Sequence, residues 1–296
     1  MRDIYESILK GISETLKSNI SYELEELLSK DLKNKSIASN VLKKKIGPFS
    51  PENGITQYVP QLFGIPVPME NINDPIDTIN RDPLYIYPQH YKCPNIAMPL
   101  KQKKFPEEYN IHLKEKHSIY AREYAMALIY AMDIEIMNVF FSENDENNKA
   151  LPESQIVEIN EGNNYGLTKE KLKKAFIILQ ESSYLFETIY IAMTSEDLDY
   201  IHKDEQIMQY ISSNFTIIKS ELIPGATRAS STTITPKQGV KRYIPFWTNN
   251  SLFLAIWDKS VKIYQNNKNL LTATNVIGTF GCCRIENSLC GYIEVG

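Results

Sequence analysis

Histidine and cysteine carry the widest chemistry, and this chain has four of each. His112-Leu113-Lys114-Glu115-Lys116-His117 is a near miss to the zinc-protease helix, which needs two histidines four apart on one face. Five apart, they diverge by roughly 140° on a helix. The prolines just upstream, and a helix start expected at Ser118, predict a loop here rather than a metal site. His90 and His202 have no acid or cysteine at a suggestive spacing and are expected at the surface. Cys93 stands alone, Cys282 and Cys283 are adjacent, and Cys290 follows seven residues on. No Cys-x-x-Cys pair exists for zinc or redox work. In a strand, Cys282 and Cys283 point to opposite faces, so both read as small packing residues.

Other signatures are missing too. The sequence holds no Gly-x-Ser-x-Gly elbow, no Gly-rich phosphate loop ending in Lys-Ser/Thr and no dinucleotide fingerprint. Gly225 to Thr233 is rich in small residues but lacks a strand–loop–helix setting, which predicts a surface loop. The acidic pairs Glu25-Glu26, Glu107-Glu108 and Asp204-Glu205 are adjacent, and adjacent side chains splay apart on helix and strand alike. Asp133, inside an apolar helix, is expected to be salt-bridged or at a rim. No catalytic, cofactor-binding or metal-binding residue is assigned, and no cofactor is expected. The chain does not read as an enzyme.

The elements that would position any site are those of an ordinary globular chain of 296 residues, 43% apolar and 23% charged. Its net charge of −4 lacks the basic balance of a nucleic-acid-gripping protein. The lysine clusters at 43–45, at 101, 103 and 104, and at 169, 171, 173 and 174 read mainly as solvated faces, with phosphate contact the lesser reading. The apolar run Tyr124–Met132 ends at Asp133, well short of the ~20 residues a bilayer span needs. With no secretory h-region after Met1, the expectation is a chain made and kept in the cytoplasm.

Periodicity predicts a helix over residues 1–46, with Ile4, Ile8, Ile12, Leu16 and Ile20 on one stripe continued by Leu24, Leu27, Leu28 and Leu32. It is either a surface helix or a partner-binding arm, and Gly47-Pro48 stops it. Eleven of the fifteen prolines fall between Pro48 and Pro106, so that segment cannot be a central sheet and reads as extended arms and edge hairpins. Ser118 to about Phe141 is a helix buried over most of its girth, with Ala121, Ala125, Leu128, Met132, Ile136 and Val139 at helical spacing. An acidic, Asn-rich loop, a short strand at 156–159 and a helix from Thr168 follow. Next come a strand at 188–193, a capping box at Thr194 and Asp197, and a strand at 215–218. After a long loop at 224–250, strands are expected at 253–257, 261–264, 275–284 and 289–295. That order is α+β rather than doubly wound.

From about residue 110 onward the order of these pieces resembles the major capsid proteins of tailed bacteriophages with the Hong Kong 97-type fold. HSIYAREYAMALIYAMDIEIMNVFF looks like the family's long spine helix, and LPESQIVEINEGNNYGLTKEKLKKAFIIL like its acidic loop, short strand and helix opening. IYIAMTSEDLDYI is similar to the strand and capped helix that follow. FLAIWDKSVKIYQ and ATNVIGTFGCCRIENSLCGYIEV are similar to the last strands. The Cys282-Cys283 pair and the 224–250 loop depart from the pattern. The resemblance implies an N-terminal arm (1–55), an extended loop (56–110), a peripheral domain with the spine helix (111–160 and 268–296) and an axial domain (161–267).

It also implies a function. The chain would be a virion structural protein of a phage or prophage, assembled in the bacterial host cytoplasm into hexamers and pentamers of an icosahedral shell. That shell would enclose double-stranded DNA without sequence-specific binding, with portal and scaffold proteins as further partners and no membrane. Two rivals stand beside it: an encapsulin-like nanocompartment shell around a cargo enzyme, and an unrecognised soluble α+β enzyme. The residues and the resemblance agree that arms without cores of their own must be buried on copies of the chain.

Overall fold

A computed structural model describes residues 2–29, 35–47, 57–59, 84–86, 89–93, 96–99, 106–142, 150–163, 165–182, 188–225, 238–257, 260–266 and 271–296. The Lys101, Lys103 and Lys104 cluster, most of the proline-rich segment and the loop 226–237 lie outside them. So do the side chains of His112, His117, Ile4, Ile8 and Ile12.

The chain is α+β, as expected, and two helices and a long ribbon form one part of it. Helix α1 spans Arg2–Leu27 and helix α2, the spine, spans Pro106–Phe140. At 35 residues the spine is about 52 Å long. It begins twelve residues before Ser118 and carries the His112–His117 segment as helix, not loop. The reason lies at Pro106: proline at a first helical position has no N–H to waste and its φ already fits. The spine's inward stripe is as expected, with Ala121, Ala125, Leu128, Met132, Ile136 and Val139 all buried. Leu16, Ile20 and Leu24 of α1 join that same core. This half of the α1 stripe is therefore covered by its own chain, not left for a partner.

Helix α1 also ends earlier than its periodicity predicts. Residues 38–40 form a 3-10 turn, and β1 (Leu42–Gly47) pairs in parallel with β10 (Leu252–Trp257). The helical pattern at 42–46 is overridden by tertiary pairing on an open strand edge. The other strands before the spine are β2 (Gln57–Val59) and β3 (Leu84–Ile86), a two-stranded hairpin, then β4 (Gln89–Lys92) and β5 (Ile96–Pro99).

The ribbon centres on β12 (Leu271–Arg284). Along one side run β10 and β11 (Ser260–Asn266), and along the other β4 and β5. The proline-punctuated segment thus supplies an edge, where missing donors are tolerated. Both flanks shift register, one on each side of Ile277 along β12. From Ile256↔Phe280 to Ser260↔Ile277 the flank advances four residues while β12 retreats three. From Lys92↔Ile277 to Ile96↔Thr274 the other flank does the same. The spine lies close on this ribbon at Gly278, where a Cβ would stand 2.4 Å from Leu128 Cδ2.

The second sheet has the order β6-β13-β9-β7-β8: β6 is Ile156–Val157, β13 Cys290–Val295, β9 Arg242–Thr248, β7 Ile189–Met193 and β8 Thr216–Lys219. Alternation divides its side chains. Ile189, Ile191, Met193, Ile244, Phe246, Ile293 and Val295 face a core shared with α3 (Lys169–Ser182), α4 (Ser195–Ile201) and α5 (Glu205–Asn214). Tyr190, Ala192, Tyr243, Trp247 and Tyr292 face the spine's core. Strand β9 lies inside the stretch read as a long loop. Its Pro245 is accommodated because the ladder to β7 stops at Phe246. Strands β10 and β11 belong to the ribbon and β13 to the second sheet.

Candidate functional site

The residues with chemistry are dispersed. Among the described residues no group of three or more His, Cys, Asp and Glu could hold a metal ion. His90 is exposed on β4 with its Nδ1 2.9 Å from Thr279 Oγ1, and His202 is exposed at the end of α4. All four cysteines are buried and free. Cys282 lies in the spine's core and Cys283 in a small cluster on the opposite face with Ile86, Ala255 and Trp257. Burial pushes the Cys93 thiol up to about 11 and those of Cys283 and Cys290 up to about 12. Such thiols stay protonated at neutral pH and are poor nucleophiles. Among the described residues no helix is long and apolar enough to cross a membrane.

What the fold builds instead is a set of buried polar joints between distant segments. Thr194 and Asp197 form the expected capping box: Asp197 N donates to Thr194 Oγ1 at 3.2 Å and Thr194 N to Asp197 Oδ2 at 3.2 Å. Arg242 completes it from β9, with Nε 3.0 Å and Nη2 2.9 Å from Asp197 Oδ1 and Nη1 3.1 Å from Glu196 Oε2. Arg284 ends β12 beneath the spine's C-terminus, where Nη1 donates to Phe140 O and Nη2 to Ser142 O, both at 3.3 Å. A guanidinium there satisfies terminal carbonyls and opposes the negative end of the helix dipole.

Two joints differ from expectation. Asp133 is neither at a rim nor, among the described residues, salt-bridged. It is 9% exposed and accepts from Ala38 N at 2.7 Å and Ser36 Oγ at 3.3 Å. Lys171, read as part of a solvated lysine face, is fully buried and donates to Glu294 O at 3.1 Å and Tyr165 O at 3.3 Å. Burial pulls its ammonium down to about 8, against the opposing pull of Glu294 and Glu161. The signal was present: Lys171 lies on the inward stripe with Ala175 and Ile178. Lys43 and Lys45 of the first lysine cluster are engaged at the end of α1, Lys43 with Leu28 O and Ser39 O, Lys45 with Glu25.

One surface feature stands out on the spine. Ile119, Met126 and Tyr130 are 64%, 50% and 54% exposed, and their spacing places them along one face with Arg122 and Glu123.

No protein-family model and no curated protein matches the sequence. Solved structures do match over nearly the whole chain. The virus-like particle from Pyrococcus furiosus aligns with a TM-score of 0.55 at 12% identity, over 95% of this chain and 98% of that one. The capsid of an empty GTA particle aligns at 0.55 and 8% identity, over 88% and 96%, and the mature capsid of bacteriophage PhiM1 at 0.51 and 7%, over 88% and 87%. The fold is the Hong Kong 97-type capsid fold. Within that fold the spine, the ribbon and the second sheet account for the elements from residue 106 onward, and the polar joints pin them to one another.

Proposed function

We propose that the chain is a structural major capsid protein of a phage or prophage, which self-assembles into an icosahedral shell enclosing double-stranded DNA. The observation that carries the reading is end-to-end likeness of fold to a virus-like particle chain, 95% of this chain on 98% of that one. The reading is supported by the apolar face of the spine, since a solvent-facing row of Ile119, Met126 and Tyr130 suits burial against a neighbouring subunit. A net charge of −4 suits a wall that encloses DNA without gripping it. In this reading the ribbon and spine form the peripheral part, the second sheet with α3–α5 the axial part, and the chain is not an enzyme. Hexamers and pentamers are its oligomers, portal and scaffold proteins its further partners, and the virion its location.

The test is electron microscopy of the full chain co-expressed with its neighbouring genes, followed by nuclease treatment. Closed shells holding nuclease-resistant DNA are expected. Shells holding a co-purifying protein instead of DNA would make it a nanocompartment wall, and a stable monomer under all conditions would overturn both.

A further inference from the structure

The outer row of the spine carries a charge pattern that selects its occupant. Ile119, Met126 and Tyr130 are exposed, and so are Arg122 and Glu123, which have no ion-pair partner among the described residues. Successive residues of a helix turn by roughly 100°, so Met126 and Tyr130 come round to within about 20° of Ile119. Positions 115 and 122 flank that row on one side, at about 40° and 60° from it. Positions 116 and 123 flank it on the other, at about 60° and 40°. Each flank therefore holds one acid and one base, Glu115 with Arg122 and Lys116 with Glu123. Such a flank is complementary to its own reversed copy. Laid antiparallel about Ile119, position 115 of one copy meets position 122 of the other, and 116 meets 123, each twice by symmetry.

The ends of the helix agree with that centre. The spine begins at Pro106, and at Asp133 its outer face is taken by the 36–40 turn, seated there by Ala38 N and Ser36 Oγ. Ile119 stands midway between the two. Parallel pairing would drive the turns of both copies into each other. Antiparallel pairing sets each turn just beyond the start of the other helix.

We propose that this row is an isologous contact: the spine of a second copy of the chain docks antiparallel on it, with a two-fold axis beside Ile119. Three apolar side chains fall short of the about 800 Å² per partner of a stable interface, so the contact is weak singly and gains by repetition. The inference deepens the shell reading and rests on it for the assembly in which the axis repeats, since icosahedral symmetry contains two-fold axes.

Disulfide trapping in the full chain tests this with single cysteines at exposed row positions; the four native cysteines are all buried. Ile119→Cys should give a covalent dimer under mild oxidation, because the axis brings its two copies together. Tyr130→Cys should not, because its copies stand about 33 Å apart along the helices. Arg122→Glu, placed in the Ile119→Cys chain, sets like charges on one flank and should slow trapping about tenfold. Adding Glu115→Arg should restore the rate, which parallel pairing does not predict. Trapping at both cysteine positions would mean parallel spines and overturn the contact, as would trapping at neither or no rescue by Glu115→Arg. Shells that trap no dimer at Ile119→Cys would remove the two-fold and leave the shell reading standing. Trapped dimers from a preparation that never forms shells would keep the two-fold and remove the shell reading.

Discussion

Asp197 and Asp133 are both buried aspartates, 2% and 9% exposed, and they are held in opposite ways. Asp197 sits in the first turn of α4, three residues from its cap, with a guanidinium facing its free oxygen. Asp133 sits in the last third of the spine with main-chain amides and a hydroxyl, and no cation among the described residues. A carboxylate that meets a cation has its charge compensated in place. One that meets only neutral donors is balanced near the edge of ionisation, and its environment decides the outcome. The second sheet therefore fastens with an ion pair, while the joint between α1 and the spine fastens with neutral donors alone.

The comparison can be broken or sharpened by substitution. The largest effect is expected from deleting residues 1–47. That removes Leu16, Ile20, Leu24, Ile37, Ala38 and Val41 from the spine's core and β1 from β10. Calorimetry should show no cooperative transition, and a normal melt would return α1 to the status of a detachable arm. Next comes Leu128→Asp, which buries a new carboxylate with neither cation nor amides in place; Leu128 is fully buried. A cost above ~4 kcal/mol is expected, read as loss of soluble protein.

Asp197→Ala should cost about 3 kcal/mol in denaturant melts, because it strips the cap and leaves Arg242 facing only exposed Glu196. Adding Arg242→Met to that variant should recover part of the loss, since the two residues share one interaction. The smallest effect is at Asp133. Asp133→Asn should match wild type at pH 5 and be more stable by about 2 kcal/mol at pH 8, because the amide keeps an acceptor and never ionises. Equal melting at both pH values would show that Asp133 does not change its ionisation between them.

The same contrast explains what the sequence discloses. The capping box was legible because its two partners lie three residues apart, and the spine because its apolar period runs over several turns. Cys282 and Cys283 were placed on opposite faces by strand alternation alone. The Asp133 joint was not legible, since its donors come from a turn some 95 residues away that periodicity assigns to the interior of a helix. Strand β1 was hidden because lysines and leucines suit a helix until β10 offers an edge. Strand β9 was hidden by Pro245, which argues against a central strand unless one ladder is known to stop beside it. Helix α5 left a usable trace: Asp204 accepts from Gln206 N and Ile207 N, and an aspartate before Ile207 and Ile211 is a helix start.

The contact between spine and ribbon is set by an atom that is missing. A Cβ at Gly278 would overlap Leu128 Cδ2, so any other residue there would wedge the ribbon away from the helix. Both flanks pair with β12, so a wedge at that one position would be passed to β10, β11, β4 and β5 together. The seam acts as a zero setting for the sheet, fixed at one point and copied outward through the ladder.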